Sequence, residues 1–203
     1  MNNYNPNIHH RKSIRLKGYD YSQAGLYFIT INTKDRACLF GKIVGVNDVK
    51  VKNFQPLPRR EMILNDAGKI ADECWLEIPE HFPNIVLHEH IVMPNHVHGI
   101  IELKRVDAIP DNSDMSLQNP NPNHNHNPNP NQFSKSIPGS ISVIIQQYKS
   151  SVTRLINKDK ISNFRWQSRF YEHIIRNEQS YEHIADYIIN NPENWKDDNF
   201  YNV

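Results

Sequence analysis

An α+β fold built on a ferredoxin-like split βαβ sheet is predicted by three features of the 203-residue chain. There is a β-branched and aromatic strand near its start, a pair of strands joined by a tight Met-Pro-Asn turn, and two helical periodicities that separate the strands. In order they read strand, helix, strand, strand, helix, strand and a closing helix, and the βαββαβ part is the signature of that sheet. A chain of 203 residues supports one substantial core and is short for two. One domain is therefore expected over residues 13–203, after a disordered tail at 1–12 and interrupted by a disordered insert at about 106–133.

Leu26-Tyr27-Phe28-Ile29-Thr30-Ile31-Asn32-Thr33 is rich in β-branched and aromatic residues and predicts a buried strand. Leu39 to Lys52, punctuated by Gly41 and Gly45, predicts a weaker hairpin. Asp66 is the expected N-cap of a helix through Ile78, with Ile70, Cys74 and Ile78 four residues apart and Pro79 as its stop. Val86–Val92 and His96–Leu103 predict two strands joined across Met93-Pro94-Asn95, where proline disfavours continued pairing and asparagine tolerates a turn. The Asn-Pro repeats around 119–130 have few apolar side chains, so burial there cannot offset the entropy of ordering. Ser140 to Asn157 predicts a helix, with Val143, Ile144, Tyr148, Val152, Leu155 and Ile156 recurring every three to four residues. Phe170–Ile175 is strand-like. Ser180 opens a last helix, with Tyr181, Ile184, Ala185 and Ile188 following, and Pro192 closes it.

The net charge of +1 hides an uneven distribution. From Lys135 to Arg176 the chain carries Lys135, Lys149, Arg154, Lys158, Lys160, Arg165, Arg169 and Arg176 against only Asp159 and Glu172. A second cluster, Arg11, Lys12, Arg15 and Lys17, precedes the first acid, Asp20. Such patches are the footprint of a polyanion binder, or else ordinary solvated faces. Arg165, Arg169 and Arg176 are interleaved with Phe164, Trp166, Phe170 and Tyr171, a pattern that suits phosphate grip and base stacking as well as it suits a strand with basic outer positions. Cys38 and Cys74 form no disulfide pattern, which favours a reducing compartment. No stretch is long and apolar enough for a bilayer, and the Asn-rich start is no signal peptide, so the cytoplasm is expected.

The chemistry concentrates at His96 and His98. Two residues apart on a strand, they point to one face while Val97 points to the other, which makes either a divalent-metal half-site or a pair of satisfied polar positions. If they are ligands, Val97, Ile101 and Leu103 must face an opposite, helix-packed core. Tyr187 and Asn191, at i and i+4, share a face of the last helix and would bring a phenol and an amide oxygen together. Hard oxygens beside imidazoles suit Mg²⁺ or Mn²⁺ better than a structural zinc. An ordinary tyrosine has a pKa of about 10, so its phenolate lies about 4 kcal/mol uphill at neutral pH. A nearby dication lowers that cost and neutralises a phosphate. Attack by Tyr187 on a DNA phosphodiester would conserve the bond energy as phosphotyrosine and allow rejoining. Tyr148, Tyr171 and Tyr181 are competing phenols, His124 and His126 repeat the histidine spacing inside the Asn-Pro tract, and His88 and His90 alternate on the preceding strand, where polar surface positions are expected.

The runs His90-Ile91-Val92-Met93-Pro94-Asn95-His96-Val97-His98-Gly99, Ser142 to Asn157, Trp166 to Asn177 and Tyr187-Ile188-Ile189-Asn190-Asn191-Pro192 closely resemble REP-associated tyrosine transposases. These are single-tyrosine relatives of insertion-sequence transposases within the His-hydrophobic-His nuclease superfamily. The resemblance spans about Ser13 to Asp197 apart from the Asn/Pro insert. It implies a ferredoxin-like fold, Mg²⁺ or Mn²⁺, and cleavage of single-stranded or hairpin DNA through a 5′-phosphotyrosine. It further implies that His96 and His98 are metal ligands, Tyr187 the nucleophile and Asn191 the third ligand, where insertion-sequence relatives carry glutamine. The enzyme is expected to work as a monomer or homodimer. Its rival is a host-recruited protein that binds hairpin DNA without cutting it.

Overall fold

Strand β1, Gly25–Asn32, alternates as a strand between two packed layers must: Tyr27, Ile29 and Ile31 are buried on one face, Phe28 and Thr30 on the other. The structure is a computed structural model that describes residues 21–46, 59–105, 137–158 and 163–201. The expected tail at 1–12, the Asn/Pro insert, His124, His126 and the basic residues Arg11, Lys12 and Arg15 lie outside the described residues.

Four further strands and four helices follow β1, with one more strand closing its free edge. They are β2 (Gly41–Val46), β3 (Arg59–Leu64), α1 (Asp66–Leu76), α2 (Ile78–His81), β4 (Ile85–Val92), β5 (His96–Leu103), α3 (Ile141–Ile156), β6 (Tyr171–Ile175) and α4 (Glu178–Ile189). The main sheet runs β4-β5-β1-β6 with every neighbour antiparallel. Leaving out the β2–β3 hairpin, this is the predicted split βαβ arrangement: the strands that flank each crossover helix are separated by a strand from the other unit.

The two faces of the sheet are covered differently. Helices α1 and α3 contact each other and, with Tyr27, Ile29, Ile31, Val97, Ile101 and Leu103, enclose the larger core, which includes Trp75, Tyr148 and Val152. Val97, Ile101 and Leu103 thus face the helix-packed side, as strand parity required. Phe28, Ile100 and Ile175 point the other way and pack under Ala185 and Ile188 of α4. A Cβ added at Gly99 would lie 2.2 Å from Cζ2 of Trp75. The indole of α1 therefore packs directly onto the backbone between the histidine and isoleucine positions of β5.

Several boundaries differ from the sequence expectation, each for a local reason. Asn65, one residue before Asp66, is the N-cap of α1, its side chain accepting from the Gly68 N–H at 2.9 Å. Pro79 starts rather than stops a helix: it sits in the first turn of α2, where the missing N–H costs nothing. The expected hairpin within 39–52 is half right, because β2 pairs with β3, Gly41 opposite Leu64. The β3 run Arg-Arg-Glu-Met-Ile-Leu is only half-buried, and its charges hide the alternation. Asn177, not Ser180, caps α4, accepting from the Ser180 N–H at 2.8 Å. The β4–β5 register slips by one residue between Leu87 and His90. That bulge sends His88 towards Tyr181 of α4 and His90 towards Asp72 and Trp75 of α1, so the two do not share a face.

Candidate active site

The turn Met93-Pro94-Asn95 is clamped by backbone bonds before any side chain acts: the Met93 N–H donates to His96 O, Thr33 N–H to Asn95 O and Phe40 N–H to Pro94 O, at 2.8, 2.9 and 3.0 Å. The Asn95 side chain then does three things at once. Its amide nitrogen donates to the carbonyls of Arg36 (3.1 Å) and Phe200 (2.8 Å), so its Oδ1 is left as the acceptor facing His96 Nδ1 at 2.8 Å. His96 must therefore carry its proton on Nδ1, and Nε2 is left with a free lone pair. That atom is buried and without a hydrogen-bond partner among the described residues.

His98 stands on the same face, its ring 4.3 Å from that of His96 between centroids. Its Nδ1 lies 2.8 Å from the Thr30 hydroxyl, on the residue directly opposite in β1. Its Nε2 lies 3.2 Å from the hydroxyl of Tyr187. Both histidines are sealed from water. Burial, and then the Arg36 guanidinium, push His96 down to about 3. Burial and the neighbouring His96 hold His98 well below the usual imidazole range, with Asp198 opposing. Two neutral imidazoles result, the form in which histidine binds metals.

Tyr187 reaches this pair because α4 lies across the histidine face, anchored by Ala185 and Ile188. Its ring meets Phe28 edge-on at 6.3 Å, and at 37% exposure it is the part of the site open to solvent. The hydroxyl donates to Asp198 Oδ2 at 2.9 Å. Burial, then the charge and hydrogen bond of Asp198, raise the phenol above its ordinary value, with Asn191 acting against them. Asn191 is buried, two residues beyond the end of α4. Its nitrogen donates to the same Asp198 oxygen at 2.8 Å, and its own Oδ1 is without a hydrogen-bond partner among the described residues. Phenol and amide, expected at i and i+4 on one helix, thus meet at one carboxylate oxygen within a single chain, although Asn191 lies in the turn after α4 and not on the helix.

Asp198 is the residue that sequence reasoning missed. It follows the 3-10 turn Trp195–Asp197, whose Trp195 is buried, and its other oxygen accepts from the Phe200 N–H at 2.7 Å. The ring of Phe200 covers His96 at 4.7 Å and His98 at 5.7 Å between centroids. The signal that could have found it is the turn forced by Pro192 followed by a large aromatic, which folds the chain back over α4. One ligand atom from each of His96, His98 and Asp198 lies within 4.8 Å of the others. With two buried acceptors unpaired among the described residues and oxygen donors beside imidazoles, the residues fit a bound metal ion.

Two of the three competing phenols are otherwise engaged. Tyr148 is buried and donates to Ala71 O at 3.0 Å. Tyr181 donates to Glu89 at 2.8 Å and sits 3.1 Å from His88. Tyr171, exposed on β6, has its ring 6.3 Å from that of Phe28.

Four of the predicted basic residues come together. Lys149 and Arg154 of α3, with Arg165 and Arg169 from the segment before β6, line a groove of about 1050 Å³ whose floor includes Trp166 and Phe170. Lys149 is partly structural, its Nζ donating to the carbonyl of Gln167 at 2.6 Å, and burial lowers its pKa. Arg176 is not part of this groove; it follows β6 and borders a smaller recess with Glu172 and His173. Among the described residues no helix is long and apolar enough to cross a membrane.

No family model matches the sequence. An uncharacterized protein of Haemophilus influenzae is 38% identical over 198 residues, covering 98% of this chain and 97% of that one. Among solved structures, that of a REP-associated tyrosine transposase bound to a REP hairpin superposes with a TM-score of 0.52 at 19% identity, covering 90% of this chain and 74% of that chain. The chain belongs to the family of the Haemophilus influenzae protein, and its fold is that of the REP-associated tyrosine transposase.

Proposed function

We propose that the protein is a metal-dependent single-tyrosine DNA strand transferase that nicks and rejoins single-stranded or hairpin DNA through a 5′-phosphotyrosine. The observation that carries this reading is the Tyr187 hydroxyl 3.2 Å from His98 Nε2, on the strand face where His96 Nε2 is buried and unpaired. The hairpin bound to the structural neighbour supports DNA as the substrate, and the groove of Lys149, Arg154, Arg165 and Arg169 is where phosphates would be gripped and bases stacked. We assign this activity to a single domain acting in the cytoplasm as a monomer or homodimer.

His96, His98 and the carboxamide oxygen of Asn191 would hold Mg²⁺ or Mn²⁺, which when bound neutralises phosphate charge and polarises the scissile phosphorus. Burial keeps the imidazoles neutral, and Asn95 and Thr30 hold the rings in place. Tyr187 Oη forms the new bond to phosphorus as the bond from phosphorus to the 3′ oxygen breaks, and the leaving 3′ oxygen takes a proton from water to become a free hydroxyl on the other strand end. The phenolic proton is directed at Asp198 Oδ2 at the outset. The new ester is close in energy to the one cut, so a 3′ hydroxyl can attack it and restore a diester.

Incubation with a labelled hairpin in Mn²⁺ is expected to give a protein–DNA adduct that survives denaturing electrophoresis, and Tyr187→Phe is expected to abolish it. An adduct formed by Tyr187→Phe assigns the nucleophile elsewhere. Tight hairpin binding by the wild type with no cleavage favours the non-cutting hairpin binder.

A further inference from the structure

We propose that Asp198 is the anionic ligand of the metal site, joining His96, His98 and Asn191, and that it also tethers the Tyr187 hydroxyl beside the ion. This rests on the metal-dependent reading above and extends it to a residue that lies outside both the histidine strand and the tyrosine helix. Three observations carry it. The Asp198 carboxylate is the oxygen donor whose ligand atom falls within 4.8 Å of those of both histidines. Its Oδ2 accepts from Tyr187 at 2.9 Å and from Asn191 at 2.8 Å, so nucleophile and amide converge on one carboxylate oxygen rather than merely lying near it. His96 Nε2 and Asn191 Oδ1 are both buried acceptors without hydrogen-bond partners among the described residues.

Charge supplies the physical reason. A dication between two neutral imidazoles and a neutral amide, in a site shielded from water by Phe200, would leave its charge uncompensated at a large desolvation cost. One carboxylate brings the site to a net charge of +1 and leaves room for a phosphate oxygen to neutralise the rest. The segment around Asp198 is held in place independently: Arg36 donates to Asn199 O at 2.8 Å, Asn95 to Phe200 O at 2.8 Å, and the Arg36 guanidinium lies 5.3 Å from the centre of the Phe200 ring. The same Asn95 that fixes the His96 tautomer thus also fixes the chain that presents Asp198.

The test is Mn²⁺ binding to the full-length protein, measured by calorimetry without DNA, for the wild type, His96→Ala, Tyr187→Phe and Asp198→Asn. Asp198→Asn keeps the oxygen that Tyr187 and Asn191 share but removes the charge. It is expected to weaken Mn²⁺ by at least about tenfold, the lower end of what the loss of even an outer-shell partner costs such sites. Tyr187→Phe, which removes a partner of the ligands but no ligand atom, is expected to weaken Mn²⁺ less than Asp198→Asn does, and an equal or larger loss overturns the ligand role of Asp198. Wild-type affinity in Asp198→Asn together with loss of binding in His96→Ala overturns the role of Asp198 and leaves the histidine site standing. Wild-type affinity in His96→Ala sinks the metal-site reading itself, and this proposal with it. Should Asp198→Asn loosen the fold, Asp198→Glu decides: it must bind Mn²⁺ more tightly than Asp198→Asn, and equal affinity overturns the assignment.

Discussion

At Asn95 one side chain settles the chemistry of its neighbour. Because both of its amide hydrogens are spent on the carbonyls of Arg36 and Phe200, only an acceptor is left for His96, and the ring keeps its lone pair on Nε2. Asn95→Ala is therefore expected to lower Mn²⁺ affinity by about 10- to 100-fold with an unchanged circular dichroism spectrum; unchanged affinity would mean that packing alone orients the ring. Arg36 and Asp35, at φ 55° and 57°, take the left-handed conformation that side chains disfavour, and Arg36 delivers the carbonyl that Asn95 needs. Gly99 acts by absence. An alanine there would place its Cβ 2.2 Å from the Trp75 ring, whose buried indole has no free end to swing aside. Urea denaturation of Gly99→Ala is expected to show a loss of about 1–3 kcal/mol, and a loss under about 0.5 kcal/mol would mean that the α1 packing yields easily.

Elements, at the next scale, divide the work between the two faces of the sheet. The side of α1 and α3 is apolar and stabilises; the side of α4 carries the histidines, Thr30 and Tyr187. Antiparallel pairing of β5 with β1 sets Thr30 opposite His98, so the strand that supports the core also orients a candidate ligand. α3 contributes twice, burying Ile144, Ile145, Tyr148 and Val152 and exposing its Arg154 side to the basic groove. If that groove holds the DNA backbone, Arg165→Ala and Arg169→Ala should each weaken hairpin binding to a similar degree for all sequences and flatten its salt dependence by about one unit of slope. Fluorescence anisotropy across a salt series reads this directly, and a sequence-selective loss with an unchanged slope would point to base contacts instead.

For the whole molecule, connectivity explains how a long insertion fits between two central elements. Leu103, ending β5, lies opposite Gly25, and the N–H of Ile141, opening α3, donates to Tyr21 O at 3.2 Å. Both ends of the intervening tract therefore attach to the same five-residue stretch, Tyr21 to Gly25, whose ends are at most about 14 Å apart when fully extended. Replacing residues 106–132 by a flexible linker of about a dozen residues is expected to keep the melting temperature within a few degrees, because loop closure changes by only about 0.6 kcal/mol per doubling of length. Adduct formation is expected to persist. Unchanged melting with lost cleavage would make the tract part of substrate recognition.

What the sequence determined by itself was governed by short-range rules. Strand parity placed His96 and His98 on one face and Val97, Ile101 and Leu103 on the other. The βαββαβ order predicted the split sheet, whereas Asn191, expected on one helical face with Tyr187, lies in the turn after α4 and meets the phenol there through Asp198. Strand parity is a property of the backbone, so it can be read from residue types alone. Errors came where a single side chain or a pairing partner decided: Asn65 instead of Asp66 as a cap, β3 as the partner of β2, and a bulge that separated His88 from His90. Only the tertiary structure could bring in Asp198, which shares no element or period with the histidines and reaches them because Trp195 is buried and Phe200 covers the pair. It alone could gather Lys149, Arg154, Arg165 and Arg169 into one groove and leave Arg176 outside. Contacts between distant segments depend on how whole elements pack, and no local pattern of residue types encodes that packing.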